Sequence, residues 1–209
     1  MSAPLVLVAA SGLAREVAEA ARRAGREVLG CVDDDPARWG TTLPGGLPVL
    51  GGLEVLGEHR GVDVVICPGR GSARAALAER LRERGVERFA TVIDPTCVVP
   101  PSCEVGAGSV LLAGTVLTTS VRVGRHVVCM PQVTLTHDDV LDDHVTLAAG
   151  VRLGGGVRVG DGAYLGMGSS VRENLAVGAG SVLGMGAVLL EDLPAGATWA
   201  GVPARSISR

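Results

Sequence analysis

Aromatic side chains are almost missing from this chain: Trp39, Phe89, Tyr164 and Trp199 are the only four in 209 residues. A core without Phe or Tyr has to be built from Val, Leu and Ala, yet the apolar content is 47%. Many small, equivalent core positions are the mark of a repeat protein. No run of about 18 apolar residues escapes a charge or a Gly, which excludes a membrane-spanning helix. The opening MSAPLVLVAASG has no basic stretch and runs directly into strand-like sequence, so no secretory signal is expected and the cytoplasm is the expected compartment. Charge of one sign is not in excess either. The 19 basic residues are all Arg and face 22 acids, with no basic block to follow a phosphate backbone, so nucleic acid is not an expected partner. Cysteine is sparse: Cys31, Cys67, Cys97, Cys103 and Cys129 form no CxxC pair, and each sits in an apolar stretch. They read as small hydrophobes in a reducing compartment rather than as a disulfide framework.

Glycine is what the chain has in excess, 31 residues, roughly twice the usual share of about 7%. Its distribution divides the sequence into halves with different periods. Residues 1–93 alternate strand-like and helical segments. PLVLVAA is a buried strand, and SGLAREVAEAARRAG an amphipathic helix with Leu13, Val17, Ala20 and Ala21 on one face. REVLGCVDDD is a second strand, DVVICPG a third, and SARAALAERLRERG a second long helix that stops at Gly85. The stretch Trp39–Gly52, rich in Gly and Pro, reads as a loop. Such a βαβ order predicts a small parallel sheet covered by helices.

From Cys97 the period is six. Eighteen six-residue blocks fit between Cys97 and Ala204 without an insertion, and the third position of each is apolar in all but the last, Gly201. A coarser period of 18 lies over the first, with Gly106, Gly124, Gly160, Gly178 and Gly196 on it and Asp142 standing in once. Three blocks per 18-residue turn describe a triangular coil whose third residues point into a narrow axis. Each corner bends through small residues, for which Gly and then Asn or Asp are suited. Successive coils pair in parallel at about 4.8 Å, giving a β-helix of about six coils too thin to hold aromatics in its axis.

Such a prism can serve as a stalk or a scaffold, so chemistry has to come from residues that break the repeat. His126 and His144 are 18 apart and should stack one coil above the other. His137 lies in VTLTHDDVLDDHV, the most acidic part of the β-helix, and Asp138 follows it directly. An acid beside an imidazole fixes its tautomer and raises its basicity, as a general base near neutral pH requires. Spacings of 11 and 7 spread the three histidines over two block positions and two coils. A zinc site needs ligands converging at about 2.1 Å on one point, so no metal is expected.

These features together resemble the sugar O- and N-acyltransferases of the sialic-acid and UDP-sugar type, whose bacillosamine-pathway members acetylate a UDP-4-amino sugar. The resemblance rests on AASGLAREVAEAA, CVDDDP, ICPGRGSAR and ATVIDPTCVVPPS, on the hexads with their central HD, and on the closing GVPAR. It covers nearly the whole chain. It implies a Rossmann-like sugar-nucleotide-binding domain over residues 1–93 and a left-handed parallel β-helix over 94–209. The implied assembly is a homotrimer with acetyl-CoA in the groove between neighbouring prisms. The implied reaction is acetyl transfer to the amino group of a nucleotide-linked amino sugar, with sugar O-acetylation and a non-catalytic nucleotide- or CoA-binding trimer as alternatives.

The resemblance also implies roles. His137 matches the base, Asp138 the acid that orients it, and Gly155 the backbone N–H that would meet the oxyanion. Met167 and Met185 match the pantetheine path. Ser11, Gly12 and Leu13 match the turn near the sugar nucleotide, Asp33 and Asp34 the acids near its nucleoside, and Gly69 the third loop. The chain departs from the pattern at three places. Leu13 stands where the family has a His, and Ala9 or Ala10 where it has the first Gly of the turn. Thr146 stands where a second His lies near acetyl-CoA, with His144 two residues earlier on the same side of the strand.

Overall fold

A computed structural model of the chain describes residues 3–58 and 61–207. The N-terminal half is built on β1 (Leu5–Val8), α1 (Gly12–Arg23), β2 (Val28–Val32), β3 (Thr42–Leu43), β4 (Leu47–Gly51), α2 (Val55–Glu58), β5 (Asp63–Ile66) and α3 (Gly71–Glu83). Its sheet runs β3-β4-β2-β1-β5, parallel except for β3. Every residue of β1 is buried, as expected of a strand covered on both faces. Ser11 caps α1, its Oγ accepting the Ala14 N–H at 3.0 Å. Leu13, Val17, Ala20 and Ala21 form the buried face of α1 along with Ala14 and Ala18.

The stretch Trp39–Gly52 is not the loop its Gly and Pro content suggests: it contains the β3–β4 hairpin, and β4 pairs with β2. Leu47, Val49 and Gly51 are buried in strict alternation, a period-two pattern that Pro48 and the neighbouring glycines obscure.

Phe89 and Ala90 continue from the β5 edge of this sheet, and β6 (Val92–Ile93) pairs in parallel with Val110–Leu111. From there the chain winds as a left-handed β-helix of three sheets, each strand pairing with the one 18 residues on: Arg122 with Val140, Val128 with Thr146, Thr134 with Arg152. The third-position column from Leu111 to Leu189 is buried throughout. A second inward column lies at the first position and includes Val121, Val127, Val133, Val145, Val151 and Val157. From Gly108 to Gly186 the left-handed residue is the sixth, as at Ser120 (φ 56), His126 (φ 53), Gln132 (φ 63), Asp138 (φ 65), His144 (φ 59) and Asn174 (φ 59).

Four of the glycines on the 18-residue period serve a different need, whereas Gly196 is itself left-handed (φ 68). Gly106, Gly124, Gly160 and Gly178 have ordinary φ, and a Cβ on Gly106 would stand 2.5 Å from the Gly124 carbonyl oxygen of the next coil. They allow close approach of coils rather than an unusual turn. The repeat also ends earlier than an insertion-free count implies. The last coil is two residues short: Val177 bridges Leu193, Leu183 pairs with Trp199, and Ala195 is exposed. Trp199 thereby enters the axial column at its open end, where the bulk of an indole fits. The GVPAR stretch closes the chain in the turn between Thr198–Ala200 and Arg205–Ser206.

The two halves share a core. Leu5, Leu7, Leu13, Val17 and Ala21 pack with Val110, Leu112 and Val128 on one face of the prism. Arg23 of α1 bonds to the buried Asp94 carboxylate where the β-helix begins.

Candidate active site

His137 and Asp138 occupy a corner between two of the prism's sheets. The Asp138 backbone turns through φ 65, so its carboxylate folds back to the ring it follows, with His137 Nδ1 at 2.9 Å from Asp138 Oδ2. Nε2 is left without an intramolecular partner among the described residues. Beneath the ring is Gly155, one coil on: a Cβ there would come within 2.3 Å of Nε2 and 2.4 Å of Cε1. The two turns are tied together, Gly156 N–H donating to His137 O at 2.9 Å, while the Gly155 N–H has no acceptor among the described residues. Both side chains of the pair are about two-thirds exposed. An imidazole with one nitrogen held by a carboxylate and the other without a partner can accept a proton.

Met167 and Met185 stack one coil apart and are 61% and 80% exposed, but they lie on a different edge of the prism from His137, across one sheet. One protomer therefore does not bring His137 and the two methionines together.

In the N-terminal half, the turn after β1 is tight. Ala9 has φ 83, the left-handed value for which glycine is suited. Asp33 accepts the Ala10 N–H at 2.7 Å and the Asp35 N–H at 3.0 Å, fastening the end of β2 to this turn. Ser11 Oγ donates to Cys67 O at 2.8 Å. The N–H groups of Gly12 and Leu13 have no acceptor among the described residues at the start of α1, where anions are favoured. Asp34 is paired with Arg80 at 2.7 Å, and this hydrogen bond holds its carboxyl below the usual range. A cavity of about 110 Å³ beside the turn is lined by Val8, Ala9, Asp33 and Asp34 among others.

The residues matching a model of the PglD N-terminal domain are 4–81. Solved structures extend the likeness to the whole chain. Perosamine N-acetyltransferase from Caulobacter crescentus, determined with CoA and GDP-perosamine, is 30% identical over 99% of this chain and 97% of its own, with a TM-score of 0.92. The acetyltransferase domain of PglB from Neisseria gonorrhoeae, determined with acetyl coenzyme A, is 30% identical over 99% and 100%, with a TM-score of 0.90. WeeI from Acinetobacter baumannii is also 30% identical, over 99% and 100%, with a TM-score of 0.89. No curated protein sequence matches the chain. The chain belongs to the hexapeptide-repeat sugar N-acetyltransferases.

In this N-acetyltransferase two of the expected site side chains, those of Leu13 and Thr146, join the two halves, and His144 does so through its carbonyl. Leu13 is 8% exposed in the shared core, so only its N–H faces the turn. Leu is apolar and turns inward where a His would seek a polar partner. Thr146 is 3% exposed, its Oγ1 donating to Gly69 O at 2.8 Å and accepting from Arg74 at 3.0 Å. It is a junction residue and does not reach the edge of Met167 and Met185. His144 stacks on His126 as the 18-residue spacing predicts, with centroids 5.6 Å apart and planes 5° apart. Its Nδ1 is 3.0 Å from Asp161 and its carbonyl accepts from Arg74 at 2.7 Å. Gly69 takes part through its carbonyl alone, which accepts from Arg74 and Thr146.

Sequence reasoning missed Arg74, which is fully buried. Its guanidinium donates to the carbonyls of His126, His144, Val145, Pro68 and Gly69. Burial lowers it to about 10, so it remains charged at neutral pH. The signal was its helical phase, since Arg74 shares a face with Ala78 and Leu81. Gly71 was missed too: a Cβ there would stand 2.1 Å from His144 O. All five cysteines are free thiols, and burial pushes Cys31 up to about 11 and Cys129 up to about 12. No cluster of three metal-ligating side chains occurs among the described residues, and no helix there is long and apolar enough to cross a membrane.

Proposed function

We propose that the protein transfers the acetyl group of acetyl-CoA to the amine of a nucleotide-linked amino sugar, with His137 as general base. The observation that carries this reading is the His137 imidazole, held at Nδ1 by Asp138 and open at Nε2 above Gly155. Nε2 takes the proton that the neutral sugar amine loses as it attacks. The amine nitrogen bonds to the thioester carbon, and the Gly155 N–H receives the oxyanion. Collapse of the tetrahedral adduct breaks the carbon–sulfur bond, and CoA leaves as a thiolate that takes the proton held by His137. The Asp138 carboxylate keeps Nδ1 protonated, so that Nε2 is the basic nitrogen throughout.

The active assembly in this reading is a homotrimer acting in the cytoplasm. Met167 and Met185 stand on one edge of a prism and His137 on another, so a neighbouring copy completes the groove in which the pantetheine would lie. The nucleotide would sit at the α1 N-terminus, its phosphates on the open N–H groups of Gly12 and Leu13 and its nucleoside toward Asp33 and Asp34. GDP-perosamine, bound by the Caulobacter relative, is a suitable first acceptor.

Thiol release from acetyl-CoA against GDP-, UDP- and dTDP-linked amino sugars and their hydroxy counterparts tests the assignment. Turnover confined to an amino sugar is expected. Turnover with a hydroxy sugar alone, or binding of acetyl-CoA with no turnover on any amino sugar, would contradict it.

A further inference from the structure

The first-position column at the His137 corner reads Cys103, Val121, Asp139, Val157 and Leu175 from coil to coil. Four are small or apolar, and one is a carboxylate with no exposed surface. Burial pushes Asp139 up to about 6, so the fold accepts a desolvation cost for an ionised group at neutral pH. Its partners indicate what the group does there. Oδ2 accepts the Thr136 N–H at 2.8 Å, closing the turn that carries His137 and Asp138. Oδ1 accepts the Val157 N–H at 2.9 Å, just beyond the turn Gly154–Gly156 on the next coil. In the same corner Thr136 Oγ1 donates to Leu153 O at 3.0 Å.

We propose that Asp139 is a positioning residue of the transfer site: its buried carboxylate clamps the His137 turn to the Gly155 turn and so sets the distance between the base and the N–H beneath it. It touches neither substrate. This inference rests on His137 being the base. A valine at 139 would continue the column of Val121 and Val157 and remove the desolvation cost, so it separates positioning from folding. An asparagine keeps the shape but turns an N–H₂ toward one of the two donors.

The test uses the full chain with acetyl-CoA and GDP-perosamine, or whichever amino-sugar acceptor the panel above identifies, for D139V, D139N and H137A. For D139V the expectation is a melting temperature equal to or above that of the parent. Its kcat should fall at least tenfold, with KM for acetyl-CoA within twofold. D139N should lose kcat as well, to an intermediate or similar extent. A D139V kcat within twofold of the parent overturns the proposal. So does a kcat loss that vanishes once rates are divided by the folded fraction, or an effect confined to KM. If H137A is inactive while D139V is unimpaired, only the positioning role fails. If H137A is fully active, the base assignment itself fails, whatever D139V does.

Discussion

The imidazole of His137 occupies the space that a side chain at Gly155 would take, with Nε2 only 2.3 Å from where a Cβ would stand. Gly155 has no positive φ, so backbone strain does not explain the glycine. Gly155→Ala should leave folding and the melting temperature nearly unchanged, because the ring is exposed and can swing away. The displaced base would then lose its alignment, and kcat should fall about 10²-fold, since misplacement of a reacting group by about 1 Å costs that much. Steady-state kinetics beside a thermal melt check it; a normal kcat would show that the ring is not needed where it lies.

Arg74 joins the halves more than any single apolar contact does. Removing its guanidinium leaves the carbonyls of His126, His144 and Pro68 short of a donor in the junction, while Val145 O keeps the Val128 N–H and Gly69 O keeps Thr146. Arg74→Met, which keeps the aliphatic stem, should cost about 2–4 kcal/mol, since each unpaired buried polar group costs about 1–3. Urea unfolding monitored by Trp39 and Trp199 fluorescence measures it. A loss under about 1 kcal/mol would mean that water replaces the guanidinium.

His126 has no exposed surface, and neither ring nitrogen has a partner among the described residues. Burial, then the neighbouring His144, lowers it to about 4 from the ordinary 6.5. The folded state thus binds its proton more weakly than the unfolded state. Its contribution to stability is intact above about pH 6.5 and is lost as pH falls through 4, by up to about 3 kcal/mol at 1.36 kcal/mol per pH unit. Asp139, raised to about 6, acts in the opposite sense over pH 4–6. The comparison is therefore between parent and His126→Leu. The variant should show a shallower fall in melting temperature between pH 6.5 and 4. Parallel curves would place the titration elsewhere.

Ser181 lies in the inward column with a buried Oγ that has no partner among the described residues. Ser181→Ala should leave kcat unchanged and keep or slightly raise the melting temperature, because an unpaired hydroxyl is removed from an apolar axis. A drop of several degrees in a melting scan would reveal a partner for that hydroxyl.

The architecture was legible because a β-helix repeats the same steric requirement in every coil. The inward third position of each hexad repeats from Leu111 to Leu189, and a pattern sampled so often resists local exceptions. Where the repeat stops, so does the legibility. Nothing local marks the two-residue contraction before Leu193, since the pattern of small and apolar residues continues through Ala195. The hairpin of Leu47–Gly51 was hidden because Pro48 and Gly46 outweighed a short alternation.

The site was half legible. His137 and Asp138 announce themselves by breaking a polar-poor repeat. The stack of His144 on His126 was legible from the 18-residue spacing, whereas Leu13 and Thr146 could not be placed from spacing, because what they touch belongs to the other half of the chain. Asp139 was readable in principle: compared down its own column it is the only charge, whereas along the chain it is one more acid in an acidic stretch.

Release of CoA thiol from acetyl-CoA in the presence of an amino-sugar nucleotide, compared between the parent protein and His137→Ala, is the most direct test of the central claim. A general base is worth about 10²–10⁴-fold, so kcat should fall at least a hundredfold while acetyl-CoA still raises the melting temperature of the variant. Equal turnover in the two proteins would contradict the mechanism.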